Sequence, residues 1–287
     1  MMTARQEKAM EIFVKGHALP LGERTCIMGI LNVTPDSFSD GGKYLDVQAA
    51  ARHAKKMVQM GADIIDIGGE SSRPGAEEVT VDEELKRVIP VIKALKGIVD
   101  VPISVDTYKS EVASQALSEG ASLINDITAL RGDDNMVRVI KDFQAGVILM
   151  HMKGVPRTMQ ELPRYDDVMA EVIAYLSESI GMAEDAGIDP SRIILDPGIG
   201  FGKTPEHNIA ILRELDKLSR LGKPVLIGVS RKSFIGKLTG KSVDKREFGT
   251  AAAVAAAIMK GADIVRVHDI DDMMDVVKVI DAVMRGK

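Results

Sequence analysis

The chain has 287 residues, of which 45% are hydrophobic and 28% are charged, a composition typical of a globular protein rather than a disordered one. Its 37 basic and 42 acidic side chains give a net charge of −5 without a basic block, so nucleic acid is not expected as a partner. Cys26 is the single cysteine, which excludes an intrachain disulfide and a cysteine-based zinc site. No apolar run reaches the roughly 18 residues that span a bilayer, and no signal-peptide core follows the first residues. We therefore expect a cytoplasmic protein without a membrane partner.

Eight short apolar runs recur along the chain, and helix-like stretches separate them. Three of these runs follow the same phrase, in which Gly-Ala (61–62, 120–121 and 261–262) stands between a helical stretch and the run. A glycine in that place is typical of a helix end followed by a short turn into a buried strand. The predicted strands cover residues 26–31, 64–68, 102–105, 123–127, 146–150, 192–195, 224–228 and 264–268, and the predicted helices include 47–60, 82–96, 168–186 and 250–260.

Apolar strands that alternate with helices predict a parallel sheet covered by helices. Eight such units in this length favour a closed (β/α)8 TIM barrel, formed by a single domain over residues 1–287. An open doubly wound sheet is the alternative, and the missing G-x-G-x-x-G motif after the first strand argues against it. Residues 1–25 do not fit the repeat. We expect this extension to form a short N-terminal hairpin, from residues 12–14 and a turn at 19–22, that closes the bottom of the barrel.

Nearly every predicted strand ends in a polar or charged residue. In a TIM barrel these strand ends converge on the C-terminal face, where such enzymes keep their active sites. One such residue alone would be read as a helix N-cap, whereas many at once indicate an active site. The strand-end residues are Asn32, Glu70, Asp106, Asn125, His151, Asp196, Lys232, Arg266 and His268.

The charges of these residues divide them into two groups. Arg73, Lys232, Arg266 and His268 form a cationic group that calls for a multiply charged anion, most simply phosphate or pyrophosphate. An internal ion pair of Arg266 with Asp66 or Asp106 is the alternative. The second group, Asp106, Asn125 and Asp196, suits a flat heterocycle with an amidine-like N–H edge. Its alternative is internal pairing with Lys232, and both can hold in the empty enzyme.

A metal site is only weakly indicated. No H-x-x-x-H motif or carboxylate triad is present, so a dedicated zinc site is not expected. Mg²⁺ binds through one or two protein oxygens plus substrate phosphates, and Asn32 offers one such oxygen. His151 either lines the site or serves the core, and Cys26 is assigned to the core.

Several motifs resemble one known family. Residues 28–42 (MGILNVTPDSFSDGG) are similar to the first signature of the dihydropteroate synthases. Further motifs follow in the family's order at 68–75 (GGESSRPG), 104–107 (SVDT), 125–126 (ND), 196–203 (DPGIGFGK), 230–233 (SRKS) and 266–269 (RVHD). One departure is Ser72, where many members carry threonine, and the hydroxyl is kept.

The resemblance implies a TIM barrel, usually dimeric, that joins p-aminobenzoate to 6-hydroxymethyl-7,8-dihydropterin pyrophosphate and releases pyrophosphate. It also implies that Asn32 binds Mg²⁺ and that sulfonamides compete with p-aminobenzoate. The implied pterin residues are Asp106, Asn125, Asp196 and Lys232, with Met150, Phe201 and Gly228 lining the slot; the implied pyrophosphate residues are Ser72, Arg73, Arg266 and His268; and Phe38, Pro74 and Ser233 border the p-aminobenzoate.

Two loops that follow the first two predicted strands are candidate lids. Residues 33–42 and 71–76 are rich in Gly, Pro and Ser, and we expect them to act as lids over the site. Asp36, in the first loop, is a candidate for stabilising a pterin cation.

The alternative functions are a pterin-binding methyltransferase domain that acts with a corrinoid partner, and a non-catalytic pterin-binding homologue. The first would not need Arg73, the 230–232 run, or Arg266 with His268.

Overall fold

The fold is known from a computed structural model that describes residues 12–14, 16–34, 42–71, 76–155, 157–161 and 163–286. Its strands are β1 Ile12–Val14, β2 His17–Leu19, β3 Cys26–Asn32, β4 Ile64–Gly68, β5 Ile103–Asp106, β6 Leu123–Asp126, β7 Gly146–Met150, β8 Ile193–Asp196, β9 Leu226–Ile227 and β10 Ile264–Val267. Its α-helices are α1 Gly42–Gln59, α2 Val81–Leu95, α3 Ser110–Glu119, α4 Met136–Phe143, α5 Val168–Asp185, α6 Pro205–Arg213, α7 Ser233–Thr239, α8 Glu247–Met259 and α9 Ile270–Arg285.

The eight strands from β3 to β10 form one parallel sheet that closes into a barrel. Their order is β8-β7-β6-β5-β4-β3-β10-β9, so the two outer strands are β8 and β9. A parallel bridge between Leu195 and Val225 joins these two, and the Leu195 amide donates to the Pro224 carbonyl at 2.9 Å. The ring of strands is thereby completed, which confirms the predicted TIM barrel and excludes the open sheet.

Helix ends and strand starts follow the repeated Gly-Ala phrase. Gly61 and Gly261 adopt φ values of 103° and 93°, in the region that glycine enters without steric cost. Each stands three residues before a strand whose apolar residues are buried, β4 after Gly61 and β10 after Gly261. The phrase therefore marks helix-to-strand turns, as the sequence predicts. No helix in the described ranges is long and apolar enough to cross a membrane.

The predicted hairpin is present at the bottom of the barrel. Strands β1 and β2 pair antiparallel, and the chain turns at Gly16, whose φ is 89°. The turn predicted at 19–22 is therefore not the hairpin turn: Leu19 ends β2, and a separate turn, in which the Glu23 amide donates to the Pro20 carbonyl at 3.2 Å, leads from β2 into the barrel. Apolar side chains of the hairpin join the first inward-facing residues of the strands in one buried cluster of Ile12, Val14, Leu19, Leu21, Cys26, Met28, Ile64, Leu123, Ile148, Ile194, Leu226 and Ile264. We call this cluster the plug.

Candidate active site

The residues that lie directly above the plug belong to the same strands. Side chains alternate between the two faces of a strand, so the residue two positions beyond each plug residue also faces the interior. In the barrel strands four of these positions are polar, and we call them the polar layer: Asp66 on β4, Asn125 on β6, Asp196 on β8 and Arg266 on β10. Ile30 on β3, Met150 on β7 and Gly228 after β9 hold the corresponding positions of the other strands. The polar layer and the strand ends above it form the floor of the C-terminal face.

Arg266 is the centre of an ion-pair network in this layer. Its Nε lies 2.6 Å from Oδ2 of Asp66, and its Nη2 lies 2.9 Å from Oδ2 of Asp106. Asp66 is fully buried. The internal pairing weighed as the alternative for Arg266 is thus present with both carboxylates. A guanidinium has five N–H donors, and these two bonds leave others for a ligand.

Two buried oxygen atoms of the network make no hydrogen bond to any described residue. Asn125 donates from Nδ2 to Oδ2 of Asp66 at 3.2 Å, while Asn125 Oδ1 and Asp66 Oδ1 are both buried without a partner. Burial raises the pKa of Asp106 to about 7, and Arg266 opposes this shift. Buried polar atoms in proteins are normally paired, so unpaired acceptors in a cleft indicate a ligand that brings N–H donors.

Asp196 begins a glycine-rich turn that folds beneath the site. Its Oδ1 accepts from the Gly198 amide at 2.7 Å, and burial raises its pKa. Gly198 has a φ of 67°, and a Cβ at this position would stand 1.9 Å from the His151 carbonyl oxygen. The close approach of the turn to the end of β7 therefore requires glycine.

Lys203 fastens the far end of this turn. Its Nζ lies 2.9 Å from Nδ1 of His151 and donates to the carbonyls of Gly198 at 2.9 Å and Phe201 at 3.0 Å. Burial lowers the pKa of Lys203 to about 7 and holds the pKa of His151 far below its ordinary value. His151 thus supports the turn through its contact with Lys203. The strand-end pattern of the sequence does not indicate this role of Lys203.

An apolar wall stands beside the carboxylates. Met150 and Phe201 are buried in a small cluster with Ile127 and Met159. The Nζ of Lys232 lies 4.2 Å from the centre of the Phe201 ring, within the range of a cation–π contact. A Cβ added to Gly228 would meet no atom within 4 Å, so the space beside this glycine is open. This part of the site therefore offers a flat ring both an apolar wall, at Met150 and Phe201, and open space, at Gly228.

The strand ends around the rim supply further polar groups. His268 Nδ1 lies 2.9 Å from Oγ of Ser230, which joins the turns after β10 and β9. Asn32, at the end of β3, pairs in register with Gly68, and Gly68 pairs with Asp106. Ser233 is exposed at the first position of α7. The structure thus brings the predicted residues of both groups, as far as it describes them, to one face.

Comparison with known proteins places this geometry in a family. A family model described as pterin binding enzyme matches residues 28–268, which span every strand of the barrel. The chain is 52% identical to a dihydropteroate synthase of Synechocystis sp. over 265 residues, which cover 92% of each protein. The chain belongs to the dihydropteroate synthase family of pterin-binding enzymes.

Solved structures of the dihydropteroate synthase family share the fold. The Yersinia pestis enzyme in complex with a sulfonamide drug superposes with a TM-score of 0.91 at 42% identity, covering 97% of this chain and 100% of that one. The Xanthomonas albilineans enzyme in complex with 7,8-dihydropteroate has a TM-score of 0.86 at 44% identity, covering 95% and 98%.

Part of the site expected for a dihydropteroate synthase lies outside the described residues. These predicted residues are Asp36, Phe38, Ser72, Arg73 and Pro74, together with most of the two predicted lid loops. Thr34 and Ser71 are the described neighbours at the start of these two loops. The assignments of these five residues therefore stay predictions.

Sequence reasoning missed a buried charge cluster at the edge of the site. Lys109 pairs with Glu70 and, at 2.6 Å, with Oε2 of Glu84, which is 1% exposed. Glu70, Glu84 and Asp106 border a small cavity of about 20 Å³. Glu84 lies on α2 in an otherwise ordinary amphipathic pattern, so no signal in the sequence distinguishes it.

Proposed function

We propose that the two halves of this site bind the two ends of 6-hydroxymethyl-7,8-dihydropterin pyrophosphate, and that p-aminobenzoate then displaces the pyrophosphate. The product is 7,8-dihydropteroate, the reaction of a dihydropteroate synthase. The observation that carries this proposal is the pair of unpartnered buried acceptors, Asn125 Oδ1 and Asp66 Oδ1, next to Asp106 and Asp196. A cationic group borders these acceptors, as a substrate with a heterocycle and an anionic tail requires.

The heterocycle half suits a pterin. Its amidine-like edge presents parallel N–H donors, Asp196 and Asn125 present buried acceptors, and Asp106 presents a half-buried one. Met150 and Phe201 give the ring an apolar wall, and the open space at Gly228 gives it room. Lys232, against the Phe201 ring, offers a donor to an acceptor atom of the pterin.

The anion half takes the pyrophosphate. Arg266 and His268 are two residues apart around the end of β10, and we assign Ser72 and Arg73 to the same group. Arg grips phosphate oxygens through paired N–H donors, which also stabilise the charge that develops as pyrophosphate leaves. Lys232 and Arg73 complete the set of cations that we assign to catalysis with Arg266.

Asn32 is the residue proposed to contact Mg²⁺. The Gly68 beside it has no Cβ, and one placed there would stand 3.4 Å from the Asn32 Oδ1 atom. Among the described residues no group of three or more His, Cys, Asp or Glu side chains is placed to hold a metal ion. A single amide oxygen fits a Mg²⁺ ion that substrate phosphates mainly hold. When bound, the ion would neutralise charge on the departing pyrophosphate.

The chemistry is a substitution at the pterin methylene carbon. The C–O bond breaks, and its electron pair leaves with the pyrophosphate. The amine nitrogen of p-aminobenzoate then donates its lone pair to form the C–N bond and loses one proton. Asp36 is proposed to stabilise the intervening pterin cation, and Phe38, Pro74 and Ser233 to border the arylamine.

We also propose a homodimer in the cytoplasm. Phe248 on α8 is 84% exposed, and Val279 and Val283 on the neighbouring α9 are 60% and 70% exposed. Exposed apolar side chains on adjacent helices are typical of an interface, and a two-fold axis would pair this face with its copy. Sedimentation velocity of the wild type against Phe248→Glu tests this, since the variant should sediment as a smaller species.

Pyrophosphate release tests the proposed function. Purified protein should release pyrophosphate from the pterin pyrophosphate only when Mg²⁺ and p-aminobenzoate are both supplied. A sulfonamide should inhibit the reaction, and excess p-aminobenzoate should relieve the inhibition. Methyl transfer from methyltetrahydrofolate without pyrophosphate release would contradict the proposal and favour the methyltransferase alternative.

A further inference from the structure

The turn that carries Lys232 contains a residue in an unfavourable backbone conformation. Residues 228–232 connect β9 with α7, and Arg231 within this turn has a φ of 57°. Side chains with a Cβ rarely enter this left-handed region, and they stay there only where the surrounding structure holds them. The proposed roles of Lys232, Arg266 and His268 leave Arg231 and Asp269 of the two neighbouring motifs without a function.

Three hydrogen bonds between its backbone and side chains of other elements hold the strained turn. The Arg231 amide donates to Oγ1 of the buried Thr250 at 3.1 Å. Arg246 donates from Nη1 to the carbonyls of Arg231 at 2.9 Å and Lys232 at 3.3 Å. Gly236 gives the Arg246 guanidinium its space, since a Cβ there would stand 2.3 Å from Nη2. The backbone on both sides of Lys232 is therefore fixed from outside the site.

The side chain of Arg231 links this turn to the next one. Its Nε lies 3.1 Å from Asp269 Oδ2, and its Nη2 lies 2.5 Å from Asp269 Oδ1, a bidentate ion pair. Asp269 directly follows His268 and stands two residues beyond the end of β10. The pair therefore ties the Lys232 turn to the strand end that carries Arg266 and His268.

This pairing takes Asp269 away from another stabilising contact. Asp269 is the N-cap residue of α9, where an aspartate usually accepts an amide hydrogen of the first helical turn, yet it makes no such bond here. The Arg231 and Asp269 side chains are 40% and 28% exposed, so their attraction adds little to the stability of the fold. The protein thus keeps a strained turn and gives up a helix-capping hydrogen bond to form an ion pair that stabilises the fold little. We take this as an indication that Arg231 and Asp269 have a role in the site.

We propose that Arg231 and Asp269 are positioning residues that set the distance between the two substrate subsites. This inference rests on the proposed function. Lys232 serves the heterocycle end of the substrate, whereas Arg266 and His268 serve its anionic end. A substrate that joins both ends gains full affinity only if the two subsites have the matching spacing, while each isolated end binds without that requirement.

The test compares a joined ligand with one of its parts. Equilibrium affinities are measured for pterin pyrophosphate, without p-aminobenzoate, and for inorganic pyrophosphate, both with Mg²⁺. We expect Asp269→Asn and Arg231→Met each to weaken pterin pyrophosphate about tenfold, by the loss of matched spacing. Pyrophosphate affinity and the melting temperature should stay close to wild type. Arg231→Lys keeps the charge but not the bidentate geometry, so its affinity for pterin pyrophosphate should lie between those of wild type and Arg231→Met.

Control variants and the remaining outcomes separate this role from others. Lys93→Met removes a cation from an exposed ion pair with Glu119, away from the site, and should leave both affinities unchanged. Equal affinity of wild type, Asp269→Asn and Arg231→Met for pterin pyrophosphate would overturn the proposal. Weaker pyrophosphate binding in Arg231→Met but not in Asp269→Asn would also overturn it, because Arg231 would then be an anion ligand. Absent turnover in the wild type would instead count against the proposed function.

Discussion

The side chains that face the barrel interior change from apolar to polar within two residues along a strand. On β8, Ile194 belongs to the apolar plug and Asp196 to the polar layer; on β10, Ile264 and Arg266 stand in the same relation. The plug removes apolar surface from water and stabilises the fold. The polar layer buries charge, which costs free energy unless every group is paired. Because two of its acceptors are unpaired, this layer is built for a ligand rather than for stability.

Replacement of Arg266, in the polar layer, should have the largest effect on both stability and turnover. Arg266→Met leaves Asp66 and Asp106 buried without their counter-charge, so we expect a loss of about 3–5 kcal/mol in the free energy of unfolding. Turnover should fall roughly hundredfold or more, because the departing pyrophosphate also loses a cation. Urea unfolding and steady-state kinetics measure the two effects.

Lys93→Met is the matched control for this variant. It breaks an ion pair of 3.1 Å whose lysine is 57% exposed, so its cost should stay below about 1 kcal/mol. Arg266→Lys keeps a charge in the network and should retain more stability than the methionine variant. Wild-type stability and turnover in Arg266→Met would show that the polar layer does not depend on this network.

A change in the plug should affect stability and spare binding. Ile194→Ala removes buried methyl groups two residues below Asp196, and we expect a loss of about 2–5 kcal/mol in the free energy of unfolding. The KM for pterin pyrophosphate of the folded variant should stay within about twofold of wild type, since the layer above keeps its own contacts. A large rise in KM would show that plug and polar layer are one functional unit.

The pH dependence of stability offers a smaller effect that isolates Asp106, the strand-end partner of Arg266. Burial raises the pKa of Asp106 from 3.8 to about 7, so the folded state holds a proton between these pH values that the unfolded state has released. The unfolding free energy should therefore fall as the pH rises through this window. Asp106→Asn should flatten the slope in urea titrations at several pH values; an identical slope would mean that Asp106 is already ionised in the folded protein.

The strands could be predicted because their pattern is local. Residues 64–68 and 146–150 match β4 and β7, since an apolar run bounded by glycine or a polar residue contains all the information needed. The run at 224–228 shortens to Leu226–Ile227, because the barrel closes there through a single bridge at Val225. That closure depends on two strands distant in sequence.

The site could be predicted in part, for a similar reason. Strand-end residues such as Asp106 and His268 are visible because a polar group follows an apolar run. Asp66 lies within the run, so the sequence indicates it only as a partner of Arg266, although it accepts hydrogen bonds from both Arg266 and Asn125. The pairings of Lys203 with His151 and of Arg231 with Asp269 depend on turns that meet only in the closed barrel.

The affinity for the pterin ring alone tests the central claim most directly. Calorimetric titration with 6-hydroxymethyl-7,8-dihydropterin should give about tenfold weaker binding to Asp196→Asn than to wild type, because an amide N–H₂ would face the N–H edge of the ring and leave buried donors unpaired. Ile194→Ala, two residues below, should bind the ring as the wild type does. Unchanged affinity in a folded Asp196→Asn variant would contradict the claim that the polar layer is the pterin site.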